Sequence, residues 1–191
     1  MTYYNKQSGV GLIEVMVALL LLAIAVLGFS AMQMRALKAT DEALIRSDAM
    51  NAMRNISEDM RLNPNKKDVY KSSISSVWTG LSDKTSGGYC TAVSTFKSNK
   101  NINTINCSDS GSCSSEQQVN LSVYEAMQTM CDAQMMFNAV TCPGTTGSLQ
   151  KVCLIASWGD TTPEMSTANQ SCAKVNGSYN RGTSCLVMES Y

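Results

Sequence analysis

The sequence predicts an α+β fold, in which one long N-terminal helix packs on a small antiparallel sheet with disulfide-bonded loops. Three observations lead to this prediction. An uncharged apolar run from Val15 to Met34 continues into an amphipathic helical pattern. Apolar and polar residues alternate in residues 148–159, and a second short apolar stretch lies in residues 183–191. All eight cysteines lie in the second half of the 191 residues.

The first element is a polar leader, residues 1–9, followed by an apolar segment, residues 10–34, that is long enough to cross a bilayer. Glu14 places one carboxylate near the start of this segment. Because such a group costs about 2.5–3.5 kcal/mol at the centre of a membrane helix, it needs a cationic partner. Cleavage after Gly9 would create one, the free α-amine of Val10 in a neighbouring subunit.

An ordinary secretory signal is the alternative interpretation of this segment, since Lys6 precedes the apolar run and small residues suitable for cleavage lie within it. The run is longer than the usual apolar region of such a signal. A carboxylate inside a discarded peptide also lacks an explanation. We therefore favour cleavage after Gly9, with the apolar helix retained.

The helix is predicted to continue through an amphipathic half, residues 35–64, and to end at Asn63-Pro64 because the residue before proline disfavours helix. From Val10 to Leu62 it would be roughly 80 Å long. It could serve as a simple anchor, or as a polymerising helix that leaves the bilayer and buries its apolar face among subunits. The apolar stripe of its second half comprises Ile45, Ala49, Met53, Ile56 and Met60.

Residues 65–191 form the predicted α+β globular domain. Residues 65–116 are rich in small polar residues and are predicted to be mostly loop, with one strand at 89–93. Helical spacing returns from Glu116 to Val140, where the recurring methionines are typical of a core rather than of a metal site. Strands are expected within 148–159 and 183–191, separated by a polar loop.

The cysteines indicate disulfide bonds and therefore an oxidising compartment, since no C-x-x-C pair supports a zinc site. Eight cysteines allow 105 complete pairings, so spacing does not fix the connectivity. Proximity suggests the local pairs Cys107–Cys113, Cys131–Cys142 and Cys172–Cys185. The predicted disulfide residues are Cys90, Cys107, Cys113, Cys131, Cys142, Cys153, Cys172 and Cys185.

The composition argues against several classes of function. The chain has no histidine, which is the commonest general base and metal ligand. Its formal net charge of +0 gives no excess of positive charge that would indicate nucleic-acid binding. No phosphate loop or nucleophile–base pattern is recognisable. We predict a protein that is not an enzyme, with no cofactor and no metal. A membrane-tethered periplasmic binding protein or redox enzyme stays open, since a cysteine pair could be redox active.

The N-terminal segment resembles the class III signal of type IV prepilins and pseudopilins. Three further stretches are similar to PilV-type minor pilins, and the last of them is the least specific. They are Leu27-Gly28 with residues 32–37 (MQMRAL), residues 59–64 (DMRLNP) followed by Tyr70, and Pro143-Gly144 with Gly147 before a strand ending in Ser157-Trp158.

This resemblance implies that prepilin peptidase cuts between Gly9 and Val10, that Val10 becomes N-methylated, and that Glu14 docks subunits. It implies a type IV pilin fold, an inner-membrane anchor before assembly, a periplasmic domain, and final residence in a pilus at the cell surface. The implied partners are other minor pilins, the major pilin and a tip adhesin, in a complex that primes assembly. Val10 departs from the family, which most often has phenylalanine there. A pseudopilin of a type II secretion system is the alternative.

Overall fold

A computed structural model of the chain describes residues 9, 11–105, 107, 113–145, 147 and 150–190. Its internal contacts divide the chain into two units, Met1–Leu44 and Ile45–Tyr191. The first unit is helical over its described length from Leu12, and the second combines helices with strands. The predicted α+β class, with a long N-terminal helix, a small antiparallel sheet and disulfide bonds, is confirmed.

Helix α1 runs from Leu12 to Leu62 and comprises 51 residues. Its end at Asn63-Pro64 agrees with the prediction, and a short 3₁₀ turn, Pro64–Lys66, follows. The predicted start at Val10 lies outside the described residues. The last part of α1 belongs to the second unit, where Ala49, Ala52, Met53, Ile56 and Met60 are buried. The predicted apolar stripe therefore faces the core, and Ile45 packs partly buried at its edge.

Residues 65–116 are mainly helical, so the prediction of loop was wrong. Helix α2 spans Lys67–Thr79 and helix α3 spans Ser86–Asn99, which also replaces the strand predicted at 89–93. Tyr89, Val93 and Phe96 recur at helical spacing and are buried. The many hydroxyls do not break the helix because they bond to carbonyls four residues earlier, as Thr95 does to Thr91 (3.1 Å).

Helix α4 spans Ser115–Asp132 and starts with a capping box, in which Ser114 and Gln117 satisfy each other's backbone N–H groups. The prediction that this helix continues to Val140 was wrong, because the last part of that range forms a strand. Gln134 adopts a left-handed conformation (φ 58°), which ends the helical path before strand β1, Met135–Thr141. Met135 and Met136 therefore lie in a strand.

Strands β1, β2 (Val152–Trp158) and β5 (Cys185–Ser190) form an antiparallel sheet in the order β1-β2-β5. The strands predicted in residues 148–159 and 183–191 are confirmed. Two short strands within the predicted polar loop, β3 (Thr162–Met165) and β4 (Ser171–Ala173), pair in parallel.

Every residue of β2 is buried because both faces of the sheet are covered. Leu154 and Ala156 belong to the main core with residues of all four helices. Ile155, on the opposite face, packs with the bonded pair Cys172 and Cys185. The C-terminal segment of α1 contacts the sheet directly through a hydrogen bond between the hydroxyls of Ser57 and Ser190 (2.9 Å).

The connection between α2 and α3 is fixed to β3 by one carboxylate. The indole N–H of Trp78 donates to Oε1 of Glu164 (2.7 Å), and the Lys84 ammonium lies 2.7 Å from the same oxygen. Lys84 also lies over the Trp78 ring, 5.1 Å from its centre. Residues far apart in the sequence meet here, so sequence reasoning did not find this cluster.

Candidate functional site on the N-terminal helix

The first half of α1 is apolar on every side and exposed throughout. Its large apolar residues between Leu12 and Met34 are 47% to 81% exposed, and consecutive residues of a helix point in all directions around its axis. The helix is long and apolar enough to cross a membrane, with a mean hydropathy of 2.8 over its best 18-residue window and no part of that window buried. Such a surface requires lipid or apolar protein around it. The apolar segment of a secretory signal passes the same test of length and composition. Other features must therefore distinguish a retained membrane helix from a cleaved signal.

Glu14 is the one charged residue in the first 23 residues of the helix that precede Arg35. It lies in the first turn and is exposed, and its backbone N–H donates to the Gly11 carbonyl (3.0 Å). A carboxylate in this position interacts favourably with the helix dipole, by about 0.3–1 kcal/mol. That gain is smaller than the cost of placing it in hydrocarbon, so within an apolar environment Glu14 needs a partner from another molecule.

Ser30 makes an instructive contrast with Glu14, since it also interrupts the apolar run. Its hydroxyl donates to the Val26 carbonyl of the same helix (2.9 Å). A hydroxyl bonded in this way is tolerated in a membrane helix without an outside partner. Within the part of the chain that the structure describes, the apolar segment therefore has one strongly polar group without a partner, the Glu14 carboxylate.

Gly9 is exposed and lies outside the helix, and among the described residues no atom beyond its chain neighbours lies within 4 Å of the place where a β-carbon would be. Val10 and residues 1–8 lie outside the described residues. The backbone just before α1 is therefore accessible at Gly9, as a peptidase requires of its substrate. The three residues predicted to act in processing and docking, Gly9, Val10 and Glu14, lie within six positions of one another.

All eight cysteines are bonded. Cys107–Cys113 and Cys172–Cys185 are the pairs that proximity suggested. The expected Cys131–Cys142 pair is wrong. Cys90 on α3 instead bonds to Cys131 on α4, and Cys142–Cys153 joins β1 to β2. The two helices pack against each other and bring the Cα atoms of Cys90 and Cys131 to 5.5 Å, a proximity that sequence spacing does not reveal.

The described part of the second unit carries surface clefts. One of them, of about 650 Å³, lies between α2 and α3 and has Asp83 as its one ionisable lining residue. In the described part of the chain, no three His, Cys, Asp or Glu side chains are arranged to hold a metal ion. The burial of Tyr89 raises its pKa, and its side chain is fully buried in the core.

Two family models match the chain. One, described as Prokaryotic N-terminal methylation motif, matches residues 4–30 and thus includes Gly9, Val10 and Glu14. The other, described as Type IV pilin Tt1218, matches residues 31–124, from the middle of α1 into α4. No curated protein and no solved structure matches the chain.

Proposed function

Because the chain belongs to the type IV pilins, we propose that it is a minor pilin of the PilV type, anchored in the inner membrane until it enters a pilus. The observation that carries this proposal is Glu14, a lone carboxylate in the segment of α1 from Leu12 to Met34, which is apolar and exposed all round. In this proposal residues 1–9 are the leader and residues 10–34 span the membrane. Residues 35–64 continue the helix, and residues 65–191 form the periplasmic domain.

The first step in this proposal is cleavage of the Gly9–Val10 bond by prepilin peptidase, followed by N-methylation of Val10. The exposed, non-helical Gly9 and the match to a methylation motif support it. The test is the intact mass and N-terminal sequence of the protein from the membrane fraction. A start at methylated Val10 is expected. A start near Met32, which a secretory signal would give, or an intact Met1 would refute this step.

A pair of variants separates the leader glycine from general effects on the segment. Gly9→Leu should leave the leader on, because a bulky side chain enters the peptidase where a glycine is expected. Gly11→Ala is the matched control, since an added β-carbon there meets one atom, Cγ2 of Ile13 at 3.8 Å. Normal processing of Gly9→Leu would contradict the assigned cleavage site.

The second step is docking through Glu14. When the apolar helix leaves the bilayer and packs among other subunits, the carboxylate becomes buried and requires a positive charge. The α-amine of Val10 in the neighbouring subunit supplies one. Removing one partner of a buried ion pair costs about 3–5 kcal/mol, because the other charge is left unpaired.

Glu14→Ala should therefore insert and be processed normally but enter pili at least about tenfold less. Asp41→Ala removes another exposed carboxylate of α1, beyond the apolar segment, and should be incorporated like the wild type. The measurement is the ratio of the protein in sheared pili to that in membranes. Equal ratios for Glu14→Ala and the wild type would refute the docking role.

The third part of the proposal concerns the place of the protein in the filament. We place it with other minor pilins in a complex that primes assembly and stays at the tip, beside major pilin and an adhesin. Co-purification with pilus proteins, at a small fraction of the amount of major pilin, is the expected result. Co-purification with secretion proteins would instead identify a pseudopilin of a type II secretion system.

A further inference from the structure

The disulfide connectivity differs from the one that an unfolded chain favours. The entropic cost of closing a loop grows with its length, so the closer of two partners is preferred. Cys131 is 41 residues from its native partner Cys90 but 11 residues from Cys142. Loop closure alone therefore favours Cys131–Cys142 over Cys90–Cys131 by about sevenfold.

Cys142 is the residue for which native and non-native pairing compete most closely. Its native partner Cys153 and its non-native partner Cys131 are each 11 residues away, so an unfolded chain forms the two bonds about equally often. Cys107–Cys113, with a separation of 6, closes locally and stays outside this competition.

The non-native bond is incompatible with the folded domain. Strand β1, Met135–Thr141, lies between Cys131 and Cys142 and is about 20 Å long. A disulfide requires Cα atoms closer than about 7 Å. The Gln134 N–H donates to the Cys131 carbonyl (2.9 Å), which holds Cys131 at the Met135 end of β1. A Cys131–Cys142 bond therefore cannot form while this turn and β1 both keep their native geometry. When Cys131–Cys142 and the local pairs Cys107–Cys113 and Cys172–Cys185 have formed, Cys90 and Cys153 are the two cysteines that remain to pair.

We propose that this chain matures through thiol–disulfide exchange and is a substrate of an isomerase-type thiol enzyme, which converts Cys131–Cys142 and Cys90–Cys153 into the native pairs. The isomerase thiolate attacks Sγ of Cys142, forms a mixed disulfide and releases the Cys131 thiolate. That thiolate attacks Sγ of Cys90, which forms Cys90–Cys131 and releases the Cys153 thiolate.

The exchange is then completed without net oxidation. The Cys153 thiolate attacks Sγ of Cys142 in the mixed disulfide, forms Cys142–Cys153 and regenerates the isomerase thiolate. Two disulfides enter and two leave, so the enzyme needs neither an electron donor nor an acceptor. This inference goes beyond the proposed function, because it holds whether or not the chain enters a pilus.

The test is oxidative refolding of the full chain in detergent micelles, from the reduced and denatured state. One sample receives an oxidant without any free thiol, and the other receives a mixture of reduced and oxidised glutathione. Samples are alkylated at intervals, and the disulfide-linked peptides are quantified by mass spectrometry. Without free thiol, Cys131–Cys142 should exceed Cys90–Cys131 by about sevenfold at early times and then persist. With glutathione it should give way to the native pairs.

Two double variants distinguish this competition from a general need for thiols. Cys142→Ser with Cys153→Ser removes the competitor, so Cys90–Cys131 should form without free thiol. Cys172→Ser with Cys185→Ser removes a bond outside the competition, so this variant should still need free thiol to form Cys90–Cys131. Early dominance of Cys90–Cys131 in the wild type, or an unchanged thiol requirement in the first variant, would overturn the proposal. The early ratio in the wild type decides the matter if a variant does not fold.

Discussion

Removing the Cys90–Cys131 bond should destabilise the second unit more than removing any other disulfide. This bond closes a loop of 41 residues, whereas Cys107–Cys113 closes one of 6. In the chain-entropy model these loops correspond to about 4 and about 2 kcal/mol of stability at 25 °C. The difference arises in the unfolded state, where the longer loop restricts more conformations.

The variants for this measurement are Cys90→Ala with Cys131→Ala, and Cys107→Ala with Cys113→Ala as the control. Urea unfolding of the full chain in micelles is followed by the fluorescence of Trp78 and Trp158, which are 2% and 8% exposed. With a urea dependence of about 2 kcal/mol per molar, the two midpoints should differ by about 1 M.

The order of the two midpoints is the decisive result. A control variant that unfolds at the same urea concentration as the Cys90 and Cys131 variant, or at a lower one, would refute the assignment of stability to loop length. It would indicate that contacts around the bond, and not the closure of the loop, determine its contribution.

Three further predictions concern the second unit. Gly88→Ala should cost about 1–3 kcal/mol of stability because the added β-carbon would overlap the backbone and side chain of Asp83. The neighbouring Gly87→Ala has room for a β-carbon and should stabilise helix α3 by up to about 1 kcal/mol, so the urea midpoints of the two variants should shift in opposite directions. Burial raises the pKa of Tyr89 in the folded state, so the unfolded state alone releases that proton above pH 10 and stability falls as the pH rises. Tyr89→Phe should remove about 1 kcal/mol of the loss between pH 10 and pH 11, and an unchanged loss would contradict this account. Glu164→Ala should cost about 2 kcal/mol by leaving the buried Trp78 indole N–H without its acceptor, and Lys84→Ala should cost under about 1 kcal/mol; equal costs would mean that the surface ion pair dominates.

The extent of α1 was predictable because its signals are local. The absence of proline before Pro64 and the apolar stripe of its second half are visible in the sequence, and both appear in the structure. Gly9, Val10 and Glu14 could be proposed from the sequence for the same reason, since they lie within one short stretch. Their roles remain predictions until processing and docking are measured.

The elements that were mispredicted depend on contacts distant in sequence or on weak local signals. In α3, the apolar residues Tyr89, Val93 and Phe96 are diluted by hydroxyl residues, and a short apolar piece resembled a strand. The spacing of these three residues was the available signal. At the end of α4 neither glycine nor proline marks the break, which falls at Gln134. The Cys90–Cys131 bond follows from the packing of two helices, which spacing along the chain cannot reveal.

The positions of the disulfides also determine how the second unit responds to pulling. Helix α1 and helix α2 contain no cysteine, and the three bonds Cys90–Cys131, Cys142–Cys153 and Cys172–Cys185 bypass 41, 11 and 13 residues. At about 3.4 Å per residue, tension applied through α1 and the C-terminal strand cannot extend roughly 220 Å of chain. The bonds therefore exempt 65 of the 147 residues of the second unit from extension, a little under half. An unfolded subunit would lengthen correspondingly less under load than one without disulfides, and its bonded residues would stay close together for refolding.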